Sequence, residues 1–247
     1  MLKVIINGCS GKMGRVLAKC VIEDPELELI CGVSSNNTDD LNFKTYTNFN
    51  DIKEVADVII DFSHHSALNE VLRYSVDTKT PLVIATTGYN DDELNKIYEA
   101  SKVIPLFHSY NMSLGVNILL RLVKQAAKVL NDFDIEVIEK HHNKKVDAPS
   151  GTAVMIANAI KEVLPNVENN YGRYGREAKR KENEIGIHAI RGGTIVGEHD
   201  VIFAGHDEIV EIKHTAQSKD IFAKGSIVAA KFLVSQKPGY YNMDNMF

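Results

Sequence analysis

Five short, continuously apolar runs punctuate the first 110 residues: LKVIING (2–8), LELICGVS (27–34), ADVIIDFS (56–63), PLVIATTG (81–88) and VIPLFHS (103–109). Each is rich in Val and Ile, too short for most helices and bounded by Gly, Ser or Asn, so each predicts a strand. Helix-like amphipathic segments separate them. Strands apolar on both faces and joined by helices must be covered on both sides, which predicts a doubly wound parallel sheet with right-handed crossovers.

The pattern changes after Met112. Residues 111–130, NMSLGVNILLRLVKQAAKVL, predict one long helix with apolar positions at Ile118, Leu119, Leu122, Val123, Ala126 and Val129, followed by an alternating strand over 133–142. A helix beginning near Thr152 stops before Pro165, residues 166–184 are polar, and three strands follow at 185–190, 194–205 and 208–216. The last strong signal, residues 218–234, is an amphipathic helix able to return to the first sheet. The expected architecture is α/β: a Rossmann-like doubly wound parallel sheet formed by 1–112 and 220–247, plus an α+β domain over 113–219.

Lysine plus arginine total 28 against 33 acidic residues, a formal charge of −5, so no net basic field exists to hold nucleic acid by its phosphates. With no signal-peptide or membrane-span pattern, a small molecule is the expected partner and membranes are not. Cys9, Cys20 and Cys31 are odd in number and lack zinc-knuckle spacing, which predicts reduced thiols in a cytoplasm.

GCSGKMG (8–14) follows the first strand and opens the first helix. Gly8 can make the tight turn, Gly11 lets backbone approach a phosphate, and Gly14 lets helix pack close to strand, so the context predicts a dinucleotide site. A glycine turn without ligand is the plainer alternative. The second strand ends at Ser34 and Ser35, where an NAD-specific domain carries an acidic residue for the ribose hydroxyls. With no carboxylate there and Lys12 in the loop, NADP is expected to be tolerated, with dual use of NADH and NADPH open. At the strand ends, ATTG (85–88) and SYNM (109–112) supply threonine hydroxyls and backbone groups suited to a nicotinamide amide.

The densest polar cluster is EKHHNKKVDAPSGTA (139–153). Asp147, Ala148 and Pro149 end one element, and Ser150 or Thr152 can cap the next helix. A helix start built from Ser150, Gly151 and Thr152 is a ready anion site, and Lys144 and Lys145 fit an anionic partner. His141 and His142 admit three readings. Neighbouring side chains of an extended chain point opposite ways and no third ligand recurs nearby, which disfavours metal. Both imidazoles can instead be structural, or one can donate a proton to an anion held at the helix start. Arg191, before two glycines, is either a second carboxylate ligand or a solvated turn arginine.

These motifs, with IRGGTIVGEH at 190–199, resemble the 4-hydroxy-tetrahydrodipicolinate reductase family, also called dihydrodipicolinate reductase, over essentially the whole chain. The resemblance implies reduction of a cyclic dicarboxylate by NADH or NADPH in the diaminopimelate and lysine pathway, in a cytoplasmic homotetramer without a metal. It implies His141 as proton donor and acceptor, Lys145 as second proton donor, His142 as a substrate contact, and Gly151 with Thr152 as the cradle of one carboxylate. Gly8, Cys9, Ser10, Gly11, Lys12 and Met13 are then expected to hold the pyrophosphate. Ala85, Thr86 and Thr87, with Ser109, Tyr110, Asn111 and Met112, are expected to line the nicotinamide side. Ser34 and Ser35 replace an acidic and basic pair found in some members, and Met112 stands where an aromatic is frequent.

Overall fold

The computed structural model describes residues 1–36 and 38–247. They divide into two compact units, one of Met1–Leu114 with Lys219–Phe247, the other of Gly115–Ser218.

The first unit contains β1 (Leu2–Asn7), α1 (Lys12–Glu23), β2 (Leu27–Val33), β3 (Thr45–Tyr46), β4 (Val58–Asp61), α2 (Leu68–Thr78), β5 (Leu82–Ile84), α3 (Asp91–Ser101) and β6 (Pro105–His108). It gives the chain its parallel seven-stranded sheet, ordered β12-β6-β5-β4-β1-β2-β3, which α6 (Asp220–Leu233) and β12 (Gly239–Tyr241) complete from the C-terminal end. Strand order reverses between β1 and β4, the position at which open α/β sheets bind ligands beyond their carboxyl ends.

Why the strands read as continuously apolar is visible in β1. Val4 and Ile6 enter the core that holds Leu17 and Val21 of α1 and Ala223, Ile227 and Leu233 of α6, whereas Ile5 enters the opposite core with Val71 of α2 and Ile97 of α3. Period-2 alternation delivers side chains to two dry faces, so Val4, Ile5 and Ile6 are all apolar and polar residues are left to the strand's ends, Lys3 and Asn7. The two-residue β3 and the three-residue β12 carry too few residues to show a period.

The second unit contains most of α4 (Leu114–Val129), then β7 (Asp134–His141), α5 (Gly151–Lys161), β8 (Glu168–Asn170), β9 (Glu184–Arg191), β10 (Gly197–Ala204) and β11 (Ile209–Ala216). Its sheet runs β11-β10-β7-β9-β8, antiparallel at β11–β10 and β10–β7 and parallel at β7–β9 and β9–β8. One face packs on α4 and α5: Leu119, Val123 and Ala127 of α4 and Ala153, Ile156 and Ile160 of α5 meet Val137, Ile187, Val201 and Phe203. The buried stripe of α4 is rotated from the expected one. Val116, Leu119, Val123 and Ala127 face inward, while Ile118, Leu122 and Val129 are exposed. A window of alternating apolar residues allows two neighbouring stripes, and the sheet selects one.

No helix among the described residues is long and apolar enough to cross a membrane.

Candidate active site

At the β1–α1 junction of the first unit, Gly8 adopts φ +79°, and a Cβ there would lie 2.5 Å from the Phe62 carbonyl oxygen. A Cβ on Gly14 would lie 2.1 Å from the Gly8 carbonyl oxygen, so α1 starts flush against the turn. Both positions exclude any side chain. Gly11 is the N-cap of α1 and makes no side-chain cap. The amide N–H groups of that first turn remain available to an anion.

An open cleft of about 290 Å³ lies over this loop, lined among others by Ser10, Gly11, Ser34, Ser35, Phe62 and His64. Ser10 Oγ and Ser34 Oγ share a 2.6 Å hydrogen bond that joins the glycine loop to the end of β2, and Ser34 is buried. Lys12 is exposed at the first position of α1. Arg15, one turn later, donates from Nε to the Ser10 carbonyl at 2.9 Å and pairs bidentately with Asp40 at 2.6 and 3.1 Å. This loop fits a dinucleotide by its donors and by the absence of Cβ atoms where backbone must close on a ligand.

Several expected cofactor residues do other work. Cys9 is fully buried, its amide donates to the Val33 carbonyl at 3.2 Å, and its side chain fills the space above Gly32. Thr86 was expected to offer its hydroxyl to a nicotinamide amide; it donates instead to Asp61 Oδ2 at 2.7 Å. Asp61 ends β4 wholly buried, also accepting from Asn7 Nδ2 at 2.7 Å and the Ser63 amide at 3.3 Å, and burial pushes its carboxyl upward. One carboxyl thereby ties together the ends of β1, β4 and β5. Ser109 donates to the Asn111 carbonyl, and Asn111 and Met112 are buried, so Ala85, Thr87 and Tyr110 are the partly or fully exposed members of this set. The Phe62–Ser66 stretch went unmarked in the sequence, although FSHHS at the exit of an apolar strand is a detectable polar step.

In the second unit, strand alternation builds the other cluster. Ile135 and Val137 enter the core, so Glu139 and His141 lie on the same face, two residues apart, beyond its edge. Register brings Arg191 of β9 beside His141 and His199 of β10 beside Glu139. Glu139 is completely buried. Its carboxylate accepts from His141 Nδ1 at 2.7 Å, from Arg191 Nη1 and Nη2 at 2.8 and 2.7 Å, and from the Ser150 amide at 2.9 Å. Burial works against the charge, but the hydrogen bonds from Arg191, His141 and Ser150 outweigh it and hold this carboxyl below its ordinary range.

Arg191 is therefore not the solvated turn residue of the plainer reading, since its terminal nitrogens bond a buried carboxylate of its own chain. Its Nη1 and Nη2 donate to Glu139, Nη2 also donates to the Asp147 carbonyl at 2.7 Å, and its Nε has no partner among the described residues. Ser150 is buried and caps α5, accepting the Ala153 amide at 3.2 Å and meeting His199 Nε2 at 2.9 Å, which makes it a support of the helix start. Gly151 opens α5 exposed, with open space where a Cβ would stand. Thr152 is next in that first turn. Lys145 pairs with Asp147 Oδ1 at 2.9 Å, and that pairing holds the Asp147 carboxyl low. His142 leaves β7 half-buried, its Nδ1 without a partner among the described residues. Burial, and next the nearby His141, push His199 down to about 4, so it is neutral at ordinary pH.

The descriptions "Dihydrodipicolinate reductase, N-terminus" and "Dihydrodipicolinate reductase, C-terminus" match residues 2–112 and 115–247. The chain belongs to the dihydrodipicolinate reductase family. The 4-hydroxy-tetrahydrodipicolinate reductase of Caldanaerobacter subterraneus subsp. tengcongensis is 57% identical over 247 residues, covering 100% of this chain and 98% of the relative. That of Clostridium tetani is 49% identical over 248 residues, covering 100% and 97%. The dipicolinate-bound dihydrodipicolinate reductase from Paenisporosarcina sp. TG-14 superimposes with a TM-score of 0.84 at 23% identity, covering both chains completely, which shows the shared fold. Within this reductase family framework, Glu139 and His199 are the polar residues that sequence reading passed over. The alternation continuing through 135, 137, 139 and 141 already placed Glu139 beside His141.

Proposed function

We propose that this chain reduces (2S,4S)-4-hydroxy-2,3,4,5-tetrahydrodipicolinate to tetrahydrodipicolinate with loss of water, in diaminopimelate and lysine biosynthesis. The observation that carries the reading is the His141 cluster at the start of α5: a half-buried imidazole, a lysine and an exposed glycine-led helix turn within one short segment, in a chain of this family. A proton donor beside an anion cradle is what reduction of a cyclic dicarboxylate requires.

Gly151 and Thr152 hold one substrate carboxylate, and His142 contacts the ring. The residues Gly8, Ser10, Gly11, Lys12 and Met13 hold the coenzyme pyrophosphate, with Cys9 packed beneath the loop, while Ala85, Thr87 and Tyr110 lie toward its nicotinamide. Bound NADPH or NADH supplies the hydride. Loss of water from the substrate leaves a conjugated cyclic imine, and hydride addition at C4 sends negative charge toward the ring nitrogen. His141, directly or through a water it orients, then protonates C5, the carbon between C4 and the imine carbon, and Lys145 stabilises the developing charge or relays a proton. This separation gives the first unit the dinucleotide and the second the substrate and subunit contacts of a cytoplasmic homotetramer.

Incubation with freshly generated substrate and each coenzyme is the test. Loss of absorbance at the reduced nicotinamide band with at least one is expected; no loss with either overturns the reading. Light scattering of the purified chain checks the tetramer.

A further inference from the structure

Glu139 is the most deeply buried acidic side chain of the second unit, and the proposed chemistry makes no use of it. Each of its oxygens receives two donors: Oε2 takes Arg191 Nη1 at 2.8 Å and His141 Nδ1 at 2.7 Å, and Oε1 takes Arg191 Nη2 at 2.7 Å and the Ser150 amide at 2.9 Å. An ionised carboxylate only accepts, so the 2.7 Å contact puts a proton on Nδ1 of His141. A neutral imidazole carries one N–H, and Nε2 is then left with the lone pair.

The surroundings of Nε2 fit that assignment. A Cβ at Gly197 would stand 3.1 Å from it, so the glycine of β10 keeps space open at this nitrogen. The charged and titratable groups facing the ring are Glu139 on its own strand, Arg191 on β9 and His199 on β10, while Lys145 in the following turn pairs with Asp147. His199 meets it edge-on with ring centroids 5.3 Å apart. Arg191 matters separately: with two guanidinium bonds on it, Glu139 stays anionic and does not draw the Nδ1 proton to itself.

We propose that Glu139 is the positioning residue for His141: clamped by Arg191 and the Ser150 amide, it fixes the proton on Nδ1 and presents Nε2 as the nitrogen that exchanges protons in the reaction. The same carboxylate anchors the amide of the α5 cap, so donor and anion cradle are set from one point. The catalytic half of this inference rests on the reductase reading; the tautomer does not.

The test uses full-length protein labelled with 15N at histidine. Two-bond 1H–15N correlations recorded above the histidine titration range read the tautomer, with His141 assigned by the signal lost in His141→Gln. The expected wild-type pattern has Nδ1 protonated and Nε2 pyridine-like; an Nε2–H pattern overturns the proposal, whatever the variants do. In Glu139→Gln the fixed pattern should give way to a mixture or to the Nε2–H form. kcat should then fall at least about tenfold with KM for the coenzyme little changed, and Glu139→Asp should recover part of the loss. A folded Glu139→Gln protein with an unchanged tautomer or full kcat also overturns it. Absence of turnover in the wild type would sink the reductase reading and leave the tautomer result to decide this one.

Discussion

Ser150 Oγ lies 2.9 Å from His199 Nε2 while also accepting the Ala153 amide, so a single hydroxyl both caps α5 and satisfies a buried histidine of β10. His199 Nδ1 has no partner among the described residues. An unpaired lone pair is cheaper to bury than an unpaired N–H, which favours the proton on Nε2, donated to Ser150.

Ser150→Ala removes both bonds. Loss of a cap costs about 0.5–2 kcal/mol and an unsatisfied buried donor about 1–3 kcal/mol. Urea unfolding should show a destabilisation of about 2 kcal/mol or more, with KM for the dicarboxylate raised and Ser150→Thr close to wild type. An unchanged urea midpoint in the alanine variant would remove the hydroxyl from this role.

Acid should destabilise the fold before most carboxylates titrate. His108 and His199 are each pushed by burial from 6.5 down to about 4. Between these values the unfolded chain binds protons that the folded chain refuses. Stability is therefore fully present above pH 6.5 and falls as pH drops toward 4, by on the order of a few kcal/mol per histidine. His199→Gln, which can still meet Ser150, should flatten part of that fall in unfolding midpoints measured across the window. Equal slopes in both proteins would show that His199 is not a source.

Gly14 has no room for a methyl group, since a Cβ would sit 2.1 Å from the Gly8 carbonyl oxygen. Gly14→Ala must lift α1 off the turn, costing about 1–3 kcal/mol and misplacing the first-turn amides. Coenzyme affinity, followed by quenching of reduced nicotinamide fluorescence or by calorimetry, should fall more than the melting temperature alone accounts for. Wild-type affinity would mean that the loop does not depend on this contact.

His141→Gln keeps a polar side chain of similar reach and loses the titrating ring. It should fold, bind coenzyme as the wild type does and lose about 10²–10⁴ in kcat. Normal turnover would take the proton transfer away from His141.

The first sheet was legible because its strands are apolar on both faces and glycine marks the turn after β1, where Gly8 needs a positive φ. The stripe of α4 was not: Leu119 and Leu122 are equal as residues, and only the packed sheet separates buried from exposed. The fate of Arg191 was equally hidden. A guanidinium before two glycines looks available until register sets it beside His141, next to Glu139. Thr86 misled for the same reason, because its partner Asp61 lies 25 residues away. Local chemistry shows which groups can bond a ligand, and long-range pairing decides which are already spent.

Under the proposed function, coenzyme choice is set at the rim of the glycine-loop cleft. Ser34 is buried against Ser10, whereas Ser35 is exposed and Lys12 is exposed at the start of α1, so neither position offers a carboxylate to repel a 2′-phosphate. Ser35→Asp should place a like charge near that phosphate and raise KM for NADPH by about tenfold relative to NADH, a repulsion of about 1.4 kcal/mol that fades with salt. Lys12→Gln should move the ratio the same way by a smaller factor. Arg15 is held by Asp40, so Asp40→Asn should release its guanidinium and shift preference toward NADPH. Paired kcat/KM values for the two coenzymes at low and high salt read all three. A ratio unmoved by Ser35→Asp would place the 2′-hydroxyl away from the end of β2.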